Sequence, residues 1–254
     1  MGLFLGIDIG STAAKSVLLA ANGQDVLRRL VQPTGWNSAD TALSIRDKLE
    51  AEGYDLSTSK VVATGYGRVS VPYADVTVTE ISCHGRGVWR LFGRDCTVID
   101  IGGQDTKIIN LKNNKVLDFR MNDKCAAGTG RFLEVMANAL GVGLADLFAL
   151  AEKGGRVHIS SMCTVFAESE VISLMGSGRA REDIAYGVCE SIVEKVTSLC
   201  GRHGKDEIYF LSGGLCESEY LVRRFGETLK AEVYSAPEAR YAGALGAAIV
   251  ASEL

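Results

Sequence analysis

Two of the seven cysteines stand in sequence contexts that suit chemistry. Cys125 lies in NDKCAAGTGRFLEVMANALG, and Cys163 lies in SSMCTVFAESEVISL. After each of them, apolar residues recur at helical spacing, which predicts that the cysteine lies at or just before the first turn of a helix. The dipole and the unpaired N–H groups of a helix N-terminus stabilise anions. Both positions therefore favour a thiolate that binds a metal or acts as a nucleophile.

The number of such cysteines limits the kind of site that is expected. Cys125 and Cys163 provide only two ligands, but a twofold-symmetric homodimer would provide four. Four cysteines suit either a [4Fe–4S] cluster or a structural Zn²⁺ ion, and spacing alone does not decide between them. A nucleophilic Cys125 is the weaker interpretation, because none of the three histidines is an evident base partner in the sequence. The other five cysteines have ordinary helix or strand contexts and are expected to pack in the core: Cys83, Cys96, Cys189, Cys200 and Cys216.

An internal repeat supplies a second set of reactive residues. GIDIGSTAAKSVLL (6–19) and VIDIGGQDTKIINL (98–111) align without gaps and share six residues, among them Asp8 with Asp100 and Lys15 with Lys107. Each copy predicts a strand, a turn of small residues and a second strand. Successive N–H groups in such a turn bind phosphate, and the two carboxylates would hold a hydrated Mg²⁺ ion.

These features predict a nucleotide site built from two hairpins. Asp8 and Asp100 would be its catalytic carboxylates, which hold magnesium and orient water toward the γ-phosphoryl group. The glycines of LSGG (211–214) would let a flat base approach the backbone. The residues expected to contact ATP or ADP are Ser11, Thr12, Ala13, Ala14, Lys15, Gly102, Gly103, Gln104, Gly213 and Gly214.

A simpler interpretation is that these glycine turns only join strands. Asp and Gly are common turn residues, and LSGG on its own is equally compatible with a structural turn. Two aligned copies of the Asp-x-Gly turn favour the binding site. The sequence has no G-x-x-x-x-G-K-[ST], and GTGRFL (128–133) has Leu133 where a dinucleotide motif has its third glycine.

The elements that would position these residues follow the same order in both halves. Each hairpin is followed by a third strand and then by alternating helices and strands, which predicts two mixed-sheet α/β lobes with a cleft between them. We expect lobe I to span 1–93 plus 239–254 and lobe II, with the cysteine helices, to span 94–238. The strands are predicted at 25–32, 60–65, 115–121, 207–214 and 231–235, and helices at 38–52, 79–92, 216–230 and 239–252.

Composition excludes several classes of function. A chain of 254 residues that is 47% hydrophobic can bury a substantial core, and its net charge of −4 gives no electrostatic case for nucleic acid. No basic leader and no apolar run of about 20 residues occurs, so neither secretion by that route nor a membrane span is expected. An odd number of cysteines without a leader favours reduced thiols in the cytoplasm.

Several strings together resemble a known superfamily. GIDIGST, VIDIGGQD, LSGG and YAGALGAAI resemble the phosphate motifs, the adenosine motif and a connecting helix of the acetate and sugar kinase, Hsc70 and actin superfamily. With ATGYGR, ISCHGRG and the two cysteine strings, the chain resembles the activator ATPases of 2-hydroxyacyl-CoA dehydratases, of the BadF/BadG/BcrA/BcrD type, over nearly its whole length.

This resemblance implies a specific activity. It implies two duplicated actin-like or ribonuclease H-like lobes, and a single [4Fe–4S] cluster held by Cys125 and Cys163 of both subunits of a homodimer. It also implies that ATP hydrolysis drives a low-potential electron into an iron–sulfur dehydratase, and that a ferredoxin or flavodoxin reloads the activator. A double-cubane cluster protein or a benzoyl-CoA reductase is an alternative partner.

Two other functions occur on the same predicted fold. A small-molecule kinase would need a substrate pocket and no cluster, and an actin-type assembly protein would form filaments with ATP. The kinase would leave the contexts of Cys125 and Cys163 unexplained. The roles of Arg68 in ATGYGR and His84 in ISCHGRG stay open.

Overall fold

A computed structural model of the chain describes residues 2–123, 125–160 and 163–254. Contacts divide the chain into two units. Unit 1 comprises Met1–Asp95, Ile109–Asp118 and Pro237–Leu254, and unit 2 comprises Cys96–Ile108 and Phe119–Ala236. The chain contains two five-stranded sheets that are accompanied by helices, which confirms the predicted duplicated α/β architecture.

The first sheet has the strand order β3-β2-β1-β4-β5. Strands β1 and β2 pair antiparallel, so that Asp8 stands opposite Lys15, and β1 pairs parallel with β4, so that Asp8 also stands opposite Thr64. The strands are β1 (Phe4–Ile9), β2 (Ala13–Leu19), β3 (Val26–Pro33), β4 (Lys60–Thr64) and β5 (Val76–Thr77).

The second sheet has the order β10-β9-β6-β7-β8, which is the same arrangement of equivalent strands. Strand β6 pairs parallel with β9, and Asp100 stands opposite Ser212. The strands are β6 (Cys96–Ile101), β7 (Thr106–Lys112), β8 (Lys115–Asn122), β9 (Ile208–Gly213) and β10 (Glu232–Tyr234).

Eight α-helices accompany the two sheets in the described part of the chain. They are α1 (Ser38–Ala51), α2 (Glu80–Phe92), α3 (Gly130–Ala139), α4 (Leu144–Ala151), α5 (Thr164–Gly176), α6 (Arg181–His203), α7 (Glu219–Leu229) and α8 (Ala242–Ala251). Short 3-10 turns occupy Arg68–Ser70 and Pro237–Tyr241. Among the described residues no single helix is long and apolar enough to cross a membrane. Helices α3 and α4 would suffice together but meet at a bend of 81°.

Helix α8 packs against α2 and β1 through small residues. A Cβ on Gly6 would collide with the carbonyl of Ala244, one on Gly87 with the carbonyl of Ala242, and one on Gly246 with the carbonyl of Cys83. Backbones that approach this closely leave no room for side chains. Glycine is therefore required at these three positions of unit 1.

Unit 2 has a larger core, and α3 is central to it. Phe132, Leu133 and Met136 of α3 are buried in the same cluster as Ala167 and Val171 of α5. Helix α6 completes the cluster with an apolar stripe that includes Cys189 and Cys200, as the sequence predicts. Because α3 and α5 share a core, a displacement of one bears directly on the other.

Candidate functional site

The turn after β1 is closed by backbone bonds. The Gly10 N–H donates to the Ala13 carbonyl at 3.2 Å, and Thr34 holds the turn from β3 by donating its Oγ1 to the Gly10 carbonyl at 2.7 Å and its N–H to the Thr12 carbonyl at 3.0 Å. Ser11 and Thr12 are exposed at the tip. Ala13 begins β2, and the Ala14 side chain points into the core, so Ala14 has only its backbone to offer a ligand.

Asp8 lies at the base of this turn, with 2% of its surface exposed. Its Oδ2 is 3.7 Å from Lys15 Nζ, and its Oδ1 has no hydrogen-bond partner among the described residues. Two glycines make room beside it. A Cβ on Gly65 would collide with Asp8 Oδ1, and a Cβ on Gly243 would lie 2.8 Å from Asp8 Oδ2. A buried carboxylate oxygen without a hydrogen-bond partner fits a hard cation such as Mg²⁺.

Unit 2 repeats the arrangement around Asp100. Ser212 donates its Oγ to Asp100 Oδ1 at 2.9 Å, and Lys107 Nζ lies 3.6 Å from Asp100 Oδ2. Lys107 Nζ also lies 2.8 Å from Asp105 Oδ2. The residue at the equivalent position of unit 1 is Ala13, which has no carboxylate. Lys107 is almost fully buried, so its charge is balanced by at least two carboxylates.

The turn after β6 joins this site to α3. The Gly102 N–H donates to the Asp105 carbonyl at 2.9 Å, and Gln104 is exposed at the tip. The carbonyls of Gly102 and Gly103 accept hydrogen bonds from the N–H groups of Gly130 and Arg131, at 2.9 and 3.0 Å. The first turn of α3 is therefore bonded directly to the predicted phosphate-binding turn.

A further repeat is a glycine at or just after the end of the strand that pairs parallel with the Asp-bearing strand, β1 in the first sheet and β6 in the second. Gly65 follows β4 with φ +86°, and Gly213 ends β9 with φ +88°. An added Cβ at Gly65 would collide with the Ile9 carbonyl, and one at Gly213 would collide with the Ile101 carbonyl. The sequence argument selected Gly213 and missed Gly65. An alignment of ATG (63–65) with LSG (211–213) would have found Gly65. Both strings end a strand that pairs parallel with the strand carrying Asp8 or Asp100.

Gly214 directly follows β9, is exposed and has open space beside its Cα. Arg68 donates to the Gly65 carbonyl at 3.0 Å, which ties the ATGYGR segment to the same end of the unit 1 sheet. His84 is buried on α2. Its Nε2 lies 3.8 Å from Glu80 Oε1. A Cβ on Gly243 would lie 2.9 Å from this Nε2, so His84 and Asp8 both lie beside Gly243.

The two predicted cysteine ligands differ from the other five in burial. Cys125 and Cys163 are half-buried, whereas the other five are buried, and none of the seven forms a disulfide. Burial raises the pKa of the Cys83 thiol to about 11 and that of Cys200 to about 12, and it also raises the pKa of Cys189. These three are therefore inert thiols of the core, as predicted.

The local placement of the two cysteines is only partly as predicted. Cys163 is the N-cap residue of α5, and its carbonyl accepts the first helical hydrogen bond, from the Ala167 N–H at 3.0 Å. Cys125 instead lies in a loop, because α3 begins at Gly130 with Thr129 as its N-cap. The dipole effect is confined to the first turn of a helix, so that part of the expectation for Cys125 is wrong. Gly128, with φ +90°, interrupts any helix before Thr129.

The comparisons with known proteins agree over the whole chain. The profile of the BadF/BadG/BcrA/BcrD ATPase family matches residues 5–251. The (R)-2-hydroxyglutaryl-CoA dehydratase activating ATPase of Acidaminococcus fermentans is 43% identical over 97% of this chain and 96% of its own length. The activator of lactoyl-CoA dehydratase of Anaerotignum propionicum is 42% identical over 98% of this chain and 97% of its own.

A solved structure gives the same result. The crystal structure of component A of the Acidaminococcus fermentans (R)-2-hydroxyglutaryl-CoA dehydratase superposes with a TM-score of 0.93 at 42% identity, and covers 100% of this chain and 98% of that one. Similarity of this extent in sequence and structure leaves no part of the chain outside the match. The chain belongs to the BadF/BadG/BcrA/BcrD ATPase family.

Proposed function

We propose that this ATPase activates an iron–sulfur partner enzyme by hydrolysing ATP and passing it one low-potential electron. The partner is most simply a 2-hydroxyacyl-CoA dehydratase. The observation that carries the proposal is the near full-length similarity to two activators of such dehydratases, in a chain whose only two half-buried cysteines are Cys125 and Cys163.

The donor set fits a cluster shared between two copies of the chain. Two accessible thiols per chain are too few for a closed four-cysteine site, and a homodimer would supply four. Cys125 and Cys163 of each copy would then hold one [4Fe–4S] cluster, which when bound supplies a one-electron carrier at low potential. None of the seven cysteines forms a disulfide, which supports a reducing compartment, the cytoplasm, where a ferredoxin or flavodoxin would provide electrons.

The residues of the two turns would bind and hydrolyse the nucleotide. We propose that Asp8 and Asp100 hold Mg²⁺ and orient water, and that the turns at Ser11 to Lys15 and at Gly102 to Gln104 bind the phosphates. Gly213 and Gly214 would face the adenosine. The unpaired, buried Oδ1 of Asp8 and the buried charge of Lys107 support this assignment, because both are costly unless a ligand or a fixed partner uses them.

Anaerobic purification of cysteine variants tests the proposal. We expect about four iron ions per dimer in the native protein, as one [4Fe–4S] cluster requires. Cys125→Ala and Cys163→Ala should each lose iron while keeping ATP binding, and Cys96→Ala, at a core cysteine, should keep both. Iron-free native protein, or iron retained in both variants, would exclude the cluster assignment.

Partner identity needs a separate experiment. Anaerobic pull-down with the tagged dimer, followed by assay of the captured protein for dehydration of 2-hydroxyacyl-CoA, should recover an iron–sulfur dehydratase. Capture of a reductase that lacks this activity would favour a benzoyl-CoA reductase or a double-cubane protein as the partner.

A further inference from the structure

The loop that carries Cys125 is fixed at four consecutive carbonyl groups. Asn122 Nδ2 donates to the carbonyls of Cys125 and Ala127, at 2.9 and 3.0 Å. The Ala126 carbonyl accepts from both Oγ1 and N–H of Thr129. The Gly128 carbonyl accepts from the buried Thr106 Oγ1 at 2.6 Å. Loops of this length are usually solvated, so bonds to four consecutive carbonyls are a strong constraint on the backbone.

Asn122 differs from the other donors because its side chain bonds two carbonyls of the loop. It is the last residue of β8, so its backbone is held by the second sheet while its side chain spans the loop. A primary amide carries two N–H donors, and both here go to carbonyls of the segment 125–127.

The other end of the loop is bonded to the nucleotide turn proposed above. Gly128 is followed at once by Thr129 and by the two N–H groups that donate to Gly102 and Gly103. The approach is close, since a Cβ on Gly130 would lie 3.2 Å from the Gly102 carbonyl oxygen. Thr106, which holds Gly128, is the first residue of β7 and follows the same turn. A shift of the turn at 102–104 therefore moves residues 128–131 with it.

We propose that Asn122 is a positioning residue that makes the backbone of Cys125 follow the turn at Gly102 to Gln104. The inference rests on the proposed function, in which Cys125 is a ligand and that turn contacts nucleotide. With Asn122 in place, residues 125–128 are held by hydrogen bonds both to the end of strand β8 and to the start of α3. Without it, the Cys125 carbonyl loses the hydrogen bond from Asn122, and a movement of the nucleotide turn has less effect on the position of Cys125.

Alkylation of the cluster-free protein under anaerobic conditions tests this coupling. The rate of modification by iodoacetamide is measured at Cys125 and Cys163 by peptide mass spectrometry, with Mg-ADP and with a non-hydrolysable Mg-ATP analogue. In the native protein the two nucleotides should give Cys125 rates that differ at least about fivefold, the lower end of typical allosteric couplings.

Asn122→Asp keeps the shape of the side chain and removes both N–H donors. In this variant we expect the Cys125 rates with the two nucleotides to fall within about twofold of each other, which is below the usual range of coupling. The Cys163 rates and the affinity for both nucleotides should stay at native values. Asn138→Asp, an exposed site on α3 with the same change of charge, should behave as the native protein. Asn122→Ala removes both donors without adding a charge and should give the same loss even if the Asp variant does not fold.

The outcomes separate this inference from the proposed function. A native nucleotide ratio at Cys125 in the Asp or Ala variant would overturn the role of Asn122, as would a Cys125 rate in the native protein that does not depend on the nucleotide. An equal increase in the alkylation rates of Cys125 and Cys163 in an Asn122 variant would show a general loosening of the structure and would also overturn the proposal. Iron content and ATP hydrolysis of the native protein test the proposed function independently of these rates.

Discussion

Lys15 and Lys107 are equivalent residues of the internal repeat, and their surroundings predict unequal costs of replacement by methionine. Lys107 Nζ lies 2.8 Å from Asp105 and 3.6 Å from Asp100, and its side chain is 2% exposed. Lys15 Nζ lies 3.7 Å from Asp8, and its side chain is 17% exposed. Methionine keeps most of the apolar volume of lysine, so the change removes mainly the charge.

The size of the effect follows from these distances. At an effective dielectric constant of about 20, the two pairs of Lys107 give roughly 10 kcal/mol of gross attraction and the single pair of Lys15 gives roughly 4 to 5 kcal/mol. Desolvation offsets much of both terms, and loss of one partner of a buried pair costs about 3–5 kcal/mol. We expect Lys107→Met to lower the free energy of unfolding by that amount, and Lys15→Met to lower it by roughly half as much.

Urea unfolding followed by far-UV circular dichroism measures the difference. The experiment is done without nucleotide, because Lys15 belongs to the proposed ATP contacts and bound ligand would add its own stabilisation. With an m-value of about 3 kcal/mol/M, Lys107→Met should move the midpoint down by roughly 1 M or more. A native midpoint for Lys107→Met, or equal shifts for the two variants, would refute the argument from burial and charge.

Two further predictions concern the surroundings of Asp8 and the thiols. Gly243→Ala should lower ATP hydrolysis at least about tenfold, a change of about 1.4 kcal/mol in the barrier, because its Cβ would lie 2.8 Å from Asp8 Oδ2 and 2.9 Å from His84 Nε2. Gly201→Ala, with open space around it, should match the native rate, and equal rates for both variants would contradict the steric argument. In folded, cluster-free protein at about pH 8, a thiol reagent should modify Cys125 and Cys163 first, since the thiolate is the reactive form. The raised pKa values of Cys83 and Cys200 keep those thiols protonated there, so early labelling of either would contradict the assignment.

Residues that repeat along the chain could be predicted from the sequence. Asp8 with Asp100 and Lys15 with Lys107 stand at equal positions in two similar strings, and the hairpins they define occur in both sheets. The order of the later helices and strands follows from apolar periodicity. For example, the helix predicted at 38–52 is observed at Ser38–Ala51.

Contacts between distant parts of the chain could not be predicted in this way. The helix predicted at Cys125 begins instead at Gly130, because Thr106 and the turn at Gly102 hold the intervening backbone in another conformation. Asn122 and Gly65 are ordinary residues in the sequence, and their importance lies in the groups that the fold brings beside them. Local propensity carries no information on such partners, so tertiary contacts decide these positions.

The packing of α8 has a consequence for the order in which the protein is made. The glycines that receive α8 lie on β1 and α2, but α8 itself follows the whole of unit 2 in the chain. During synthesis, more than a hundred further residues must be made after the first 95 before α8 is available to complete the core of unit 1. Most of unit 2 is one continuous stretch and can fold as soon as it leaves the ribosome. We therefore expect nascent unit 1 to depend on chaperones for longer than unit 2 does.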